Sequence, residues 1–543
     1  MALAFVLGFA LLPTLSSVQA AELAKPRLAA QQVLRTVGTE PDSIDPQKAS
    51  FVSEINAIMK VFSNLLTFDK NGNLVPEMAA TLPEYSTDGK TVTVRIKQGL
   101  KYSDGAPLNA QNFKFGWLRH LDPRTASEYA FTGYVIAGAE AYNTSTATDE
   151  ATLNSLASRV GVAAPDDSTI VFTLKEPAVY FSSILATWNG LPTREDMIKQ
   201  GGANWTEPET YIGNGPFKLT IWEHQVRMVF EANPNYWRGA PKLQRIEEIV
   251  YNDPTVAFTA YRNDELDTVG VGSGEIDVVR SDPQLRAQFT QEPGTCTFYL
   301  GFNTQLAPMN NPALRQAIAM AFDRQTWVND VLRGLGLPAE QFLPPGFPGY
   351  YPDLRTYKYD PAAAKAKLTE AGIDPAALGE INYAYSSSPR NQLRAEWIQN
   401  QLQTTLGLKI KLDPIESKAY SAMLKRQDTT QQMFLLGWCQ DYPDPQNWYS
   451  TVFHSSATVS HTGWKNAQFD QLTSQADGEQ NAARRDQLYK QAAQILIDDA
   501  PVVFIYNNVS TFLVKPWVKG WTTTPIDYYF SSTTIMDVYI EDH

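Results

Sequence analysis

The sequence predicts an α/β protein of several domains, and three observations carry that expectation. At 543 residues the chain exceeds what one hydrophobic core organises, so two to four domains follow. Strand-like alternation and capped, amphipathic helix-like stretches are interleaved from end to end. No repeat period runs through them, which sets aside solenoids and propellers. Apolar residues make up 43% and charged residues 19%, a soluble globular composition. A net charge of -13 argues against a nucleic-acid partner, because phosphates demand a basic face.

In chain order, Met1 through Leu12 to the small-residue triplet Val18-Gln19-Ala20 reads as a signal peptide, residues 1–20, cleaved after Ala20. No Lys or Arg precedes its apolar run, so the start is expected to be truncated. Val33–Val37 is a strand and Gly38–Pro46 a loop. Gly72 through Ile96 reads as a hairpin, with Asp88-Gly89 as the turn and Val92, Val94 and Ile96 on one face. Tyr102–Leu108 leads into a helix through Phe113 and Trp117. Gly213–Leu219 and Asn233–Trp237 belong to a strand pair with turns, and Thr297–Asn303 is an alternating strand. Asn311-Pro312 starts a helix, Asn as N-cap and Pro at its first position, that carries Leu314, Ile318, Phe322 and Val328 inward to Gly334. Asp360-Pro361 starts another, ended by Gly372. Arg484–Asp499 is an amphipathic helix and Val502–Tyr506 a strand.

The stretch from Met433 to Pro445 organises the rest. Met433–Trp438 is a short apolar run ending in an aromatic, the pattern of a buried strand, and Pro443, Asp444 and Pro445 then force a turn. Asp441 is thereby held at the mouth of the strand, beside an indole and a thiol, where a cleft would suit a cationic ligand group. The other reading is that Asp441 caps the turn and Trp438 is core. Only two cysteines exist, Cys296 and Cys439, and in an oxidising compartment they are expected to pair. Neither lies at the signal junction, so a soluble periplasmic protein rather than a lipoprotein is expected.

Gly437-Trp438-Cys439-Gln440-Asp441-Tyr442, with Tyr102–Leu108, Gly213–Leu219, Asn233–Trp237 and Leu513–Val518, resembles the periplasmic oligopeptide-binding proteins, receptors of ABC peptide importers within solute-binding protein family 5. The resemblance runs from about residue 33 to the end. It implies a bilobal periplasmic binding protein of the class II-like, cluster C type, hinged, with ligand buried between the lobes. Its three domains would be 31–62 with 190–295 and 510–543, then 63–189, then 296–509. It implies that Asp441 pairs with the α-ammonium of a bound peptide, beside Trp438. Val52, Gly437 and Cys439 would be backbone partners, and Tyr129 would approach the peptide backbone. The family's matching cysteine pair corresponds to Cys296 and Cys439. Implied partners are short peptides and the membrane permease subunits of the importer, with the receptor a monomer and without cofactor. The sequence departs from the pattern where the peptide C-terminus is read: a basic residue is Leu435 here and a Lys falls on Leu332. Arg333, Arg390 and Arg426 are the substitutes, with looser length selection or a more apolar C-terminal pocket expected.

No catalytic constellation emerges. Five histidines lack metal spacing, and two cysteines cannot form a zinc knuckle. Gly270–Gly274 has Glu275 where the dinucleotide fingerprint needs glycine, and reads as a mobile turn. Asp441 and Asp444 form a conceivable glycoside-hydrolase pair. Other ligands carried on this fold, namely sugars, a nickel complex or haem, are the rival reading. A sugar site would stack Trp438, Trp448 and Tyr442 on ring faces.

Overall fold

The structure is a computed structural model that describes residues 27–543, apart from 425, 458, 523–525 and 527–531. The signal peptide expected at 1–20 lies outside the described residues.

Three principal sheets build the molecule. In the first, Val33–Gly38 runs parallel to Arg245–Val250, which pairs antiparallel with Arg227–Ala232 and through it with Phe217–Glu223. The second is antiparallel, in the order Glu84–Tyr85, Thr91–Arg95, Thr169–Thr173, Val162–Asp166. These two share one continuous apolar core, with Leu34 and Ile246 from the first, Val92, Val94 and Phe172 from the second, and Trp117 against Phe172. The third and largest sheet orders Thr268–Gly270, Val502–Val514, Phe289–Phe302, Met433–Cys439, Glu380–Ser386 and Lys409–Ile415. Helices cover both of its faces over two separate cores, which is why Val502–Asn507 is buried without alternation. The result is a bilobal mixed α/β fold.

Two strands are longer than their sequence pattern suggests. Phe289–Phe302 and Val502–Val514 pair along most of their lengths, from Phe289↔Leu513 to Gly301↔Val502, across a register shift between Pro293 and Thr297. Pro293 falls at this shift, where an irregular ladder tolerates a residue that cannot donate. The divisions expected at 295/296 and 509/510 fall inside these strands.

The helix expected from Asn311 to Gly334 is broken. It ends at Ala321, Phe322 is extended, and Asp323 caps a new turn through a bond from the Thr326 amide at 3.0 Å. The break frees carbonyls for Arg324, whose buried guanidinium collects those of Ala339, Phe504, Ala319, Phe322 and Tyr357. Burial still lowers its pKa to about 10. Leu314, Ile318, Phe322 and Val328 are buried as expected. The Gly72–Ile96 block is not one hairpin either: Leu74–Pro76 pairs with Leu66–Phe68, and only Glu84–Arg95 folds back around Asp88-Gly89.

Candidate functional site

The site begins with how Met433–Cys439 is seated. It lies antiparallel to Phe289–Phe302, which sets Cys439 directly opposite Cys296, and the two form a disulfide. Gln440 donates its amide to the Thr295 carbonyl at 3.0 Å. Main-chain direction alternates along a strand, so Trp438 and Leu436 also point that way, while Leu435, Gly437 and Cys439 point to the other side. The Tyr420 hydroxyl meets the Leu435 carbonyl on that other side at 2.7 Å. There the parallel neighbour Glu380–Ser386 pairs only at Tyr383↔Met433 and Ala384↔Phe434. Beyond Phe434 the amides and carbonyls of Gly437 and Cys439 therefore lie on an edge that no described strand occupies. Gly437 has a steric reason to be glycine, because a Cβ there would sit 2.7 Å from the ring of its cross-strand partner Phe298.

At the end of this edge the two aspartates separate into different roles. Asp444 is the N-cap of Pro445–Phe453, accepting from the Gln446 amide at 2.8 Å, and is ion-paired with Arg485. Asp441 is not the N-cap of that helix. Its amide donates to Asn447 Oδ1 at 3.0 Å, and its Oδ2 accepts from Asn447 Nδ2 at 2.9 Å. The Trp438 indole donates to the same Asn447 oxygen at 3.3 Å.

The facing walls come from other parts of the chain, around Val52, Tyr129 and Trp188. Ser50, Phe51 and Val52 enter the helix Val52–Val61, and the buried Glu54 carboxylate accepts from the amides of Ser50 at 2.8 Å and Phe51 at 3.0 Å. Burial nonetheless holds the Glu54 pKa above the usual carboxylate range. Ser50 Oγ donates to Glu128 at 2.6 Å, and the Tyr129 ring lies 5.1 Å from that of Trp188. Between these walls and the site strand lies a cavity of about 480 Å³, bounded by Val52, Tyr129, Trp188, Trp438 and Asp441, among others. Its walls are chiefly apolar, as ligand clefts are.

The model of the bacterial extracellular solute-binding proteins, family 5 (middle), matches residues 73–460, well over half of the chain. This chain belongs to that family. It is 31% identical over 495 residues to the oligopeptide-binding protein OppA of Bacillus subtilis, covering 89% of each chain. It is also 31% identical over 529 residues to the probable deoxycholate-binding periplasmic protein YgiS of Escherichia coli, covering 95% of each. Among solved structures, the murein tripeptide binding protein MppA of Escherichia coli superposes with a TM-score of 0.85 at 28% identity, over 95% of this chain and 100% of that one. The unliganded open form of MppA gives 0.72 at 28% identity, over 96% and 99%.

In this solute-binding protein the cavity brings together Val52, Tyr129, Gly437, Trp438, Cys439 and Asp441, residues drawn from three distant stretches. The three arginines are elsewhere. Arg426 is exposed and paired with Asp428 at 2.6 Å, and Arg333 is exposed 3.4 Å from Asp277. Arg390 stands against the Gly272 turn, and none of the three is among the described lining residues. Leu332 is buried in core and Leu435 packs on it. Of the rings expected to stack on a sugar, Trp438 alone bounds the cavity, because Trp448 and Tyr442 are buried in cores on other faces of the turn. Gly270–Gly274 is a turn before Ile276–Ser281, with Glu275 folded back onto the Gly272 amide. Among the described residues no group of His, Cys, Asp and Glu is arranged to hold a metal ion, and no helix is long and apolar enough to cross a membrane. Sequence reasoning missed Glu128, Trp188 and Asn447. Glu128 adjoins Tyr129 and Asn447 follows the Asp444 cap, so both lay beside recognised positions; Trp188 had no such flag.

Proposed function

We propose that this protein is the soluble, monomeric periplasmic receptor of an ABC importer, capturing short peptides in extended conformation and presenting them to the permease subunits. The observation that carries this reading is the strand edge at Gly437 and Cys439, which no described strand occupies, and which bounds the cavity and ends at Asp441. An extended peptide adds there as a strand, exchanging main-chain hydrogen bonds with Gly437 and Cys439 and, across the cleft, with Val52. Its α-ammonium meets the Asp441 carboxylate, and its side chains pack on Tyr129, Trp188 and Trp438. Binding needs no covalent step. A hydrolase reading loses its second carboxylate, since Asp444 is engaged by Arg485 and the helix end. The family relatives named for oligopeptides and tripeptides support the peptide reading. The irregular pairing between Pro293 and Thr297 is the natural flexing point for a hinge, with domains divided at 295/296 and 509/510.

Mass spectrometry of cargo released from the protein as expressed, followed by calorimetry of stripped protein against di- to pentapeptides, tests this. Deoxycholate is the necessary control, given the equally similar relative named for it. A carboxylated steroid offers nothing to Asp441, so heat with peptides and silence with deoxycholate is expected. The reverse pattern would overturn the proposal.

A further inference from the structure

We propose that Asn447 is a positioning residue that sets affinity for the cationic end of the ligand, by fixing the Asp441 carboxylate and the Trp438 indole in one arrangement. This rests on the reading of Asp441 as the ammonium partner. Asn447 lies in the first turn of Pro445–Phe453 with 0% exposure. Its Oδ1 accepts twice, from the Trp438 indole at 3.3 Å and the Asp441 amide at 3.0 Å, and its Nδ2 donates to Asp441 Oδ2 at 2.9 Å. A flipped amide would set its NH₂ against two donors, so the network itself assigns oxygen and nitrogen.

One side chain thus holds Asp441 at both its main chain and its carboxylate, while anchoring the ring beside it. The anchor is in turn rigid, because the helix that carries Asn447 is capped by Asp444 and Asp444 is gripped by Arg485. A donor on the carboxylate favours its charged form, which chiefly apolar walls would otherwise disfavour. A carboxylate already held in place also loses less freedom when the ammonium arrives. Asn447 need not touch the ligand to do either.

The test compares tri-alanine with N-acetyl-tri-alanine by calorimetry, using the full-length protein and the variants Asn447→Asp, Asn447→Leu and Asp441→Asn. Asn447→Leu leaves two buried N–H groups without an acceptor and is the variant at risk of misfolding. Asn447→Asp keeps that acceptor and the shape, but sets a second carboxylate oxygen where the Nδ2 donor stood. Carboxylates so close share a proton. Expected is at least a tenfold fall in the preference for the free amine in folded Asn447 variants. For Asn447→Asp the affinity relative to the parent should also vary between pH 5 and 7, the parent's own profile serving as the baseline because His461 and Glu128 line the same cavity. Asn447→Asp with the parent's preference and the parent's pH profile, beside a weakened Asp441→Asn, overturns this inference and leaves the ammonium reading standing. If Asp441→Asn is also without effect, the ammonium reading fails and takes the inference with it.

Discussion

Arg485 grips Asp444 through two parallel hydrogen bonds, Nη1 to Oδ2 at 2.9 Å and Nη2 to Oδ1 at 2.7 Å. The side chains are only 11% and 15% exposed, so this fork is an interior ion pair rather than surface decoration. Removing one partner leaves the other charge stranded, at a cost of about 3 to 5 kcal/mol. Arg485→Met should therefore lower the melting temperature clearly in differential scanning calorimetry. Parent-like melting would show that Asp444 needs no counter-ion.

Asp441→Asn should act on binding instead. The lost ligand pair, worth about 3 to 5 kcal/mol when broken from one side, corresponds to roughly a hundredfold or greater loss of affinity at about 1.4 kcal/mol per decade. The ligand-free melting temperature should barely move. N-acetylating the peptide should weaken the parent to a similar degree, and both changes together should cost much less than their sum, since each removes the same pair. Unfolding of Asp441→Asn would instead return this residue to an architectural role.

The Cys296–Cys439 bridge closes a loop spanning a sequence separation of 143 residues. On the chain-entropy view such closure contributes up to about 5 kcal/mol. Thiol titration of the denatured, non-reduced protein should find no free thiol. Reduction, or replacement of both cysteines by alanine, should lower the melting temperature and weaken peptide binding, since Cys439 is also a wall of the cavity.

Asp477 supplies a pH signature. Burial, the largest influence, and the neighbouring Asp444 charge raise its carboxyl to about 7, against the lowering effect of the Tyr489 and Ser450 hydroxyls and of Arg485. The folded state thus holds this proton more tightly than the unfolded chain, whose aspartates titrate near about 4. The stabilising contribution is complete below pH ~4 and is lost as pH rises through about 7. His120 runs the other way, since burial lowers its pKa to about 4, so the parent's own profile mixes two slopes. The difference between Asp477→Asn and parent isolates one of them. The variant should gain melting temperature relative to parent from pH 4 to 8, and a constant difference would refute the assignment.

Peptides with a free or an amidated C-terminus should bind within about threefold of each other, because Arg333, Arg390 and Arg426 all stand outside the described cavity wall. A loss above tenfold on amidation, which is about 1.4 kcal/mol, would require a cation that reaches the ligand.

How far the sequence was legible depends on whether a role is local. The strand Met433–Cys439, the N-caps at Asn311 and Asp360, and the apolar face of Val92, Val94 and Ile96 all follow from spacing within a few residues. The helix break at Phe322 does not, since the Arg324 guanidinium seated beside it gathers carbonyls from the distant Ala339, Tyr357 and Phe504. Asp441 and Asp444 share one turn and one side chain type. What distinguishes them is Arg485, some forty residues onward, and no local pattern announces it. Trp188 is silent for the same reason, as it becomes a wall only when three distant stretches converge. The arginines sought for the peptide C-terminus were placed by proximity in sequence to family positions. The structure turns Arg426 and Arg333 toward exposed carboxylates instead.

The two indoles of the cavity, Trp188 and Trp438, stand on opposite walls, and both have their N–H groups engaged by protein, at the Ala49 carbonyl and at Asn447. Whatever enters therefore changes the surroundings of the rings and leaves those hydrogen bonds in place. The cleft carries its own optical probe: a ligand packed against these rings should change their tryptophan emission, so that occupancy can be followed by light alone in unlabelled protein.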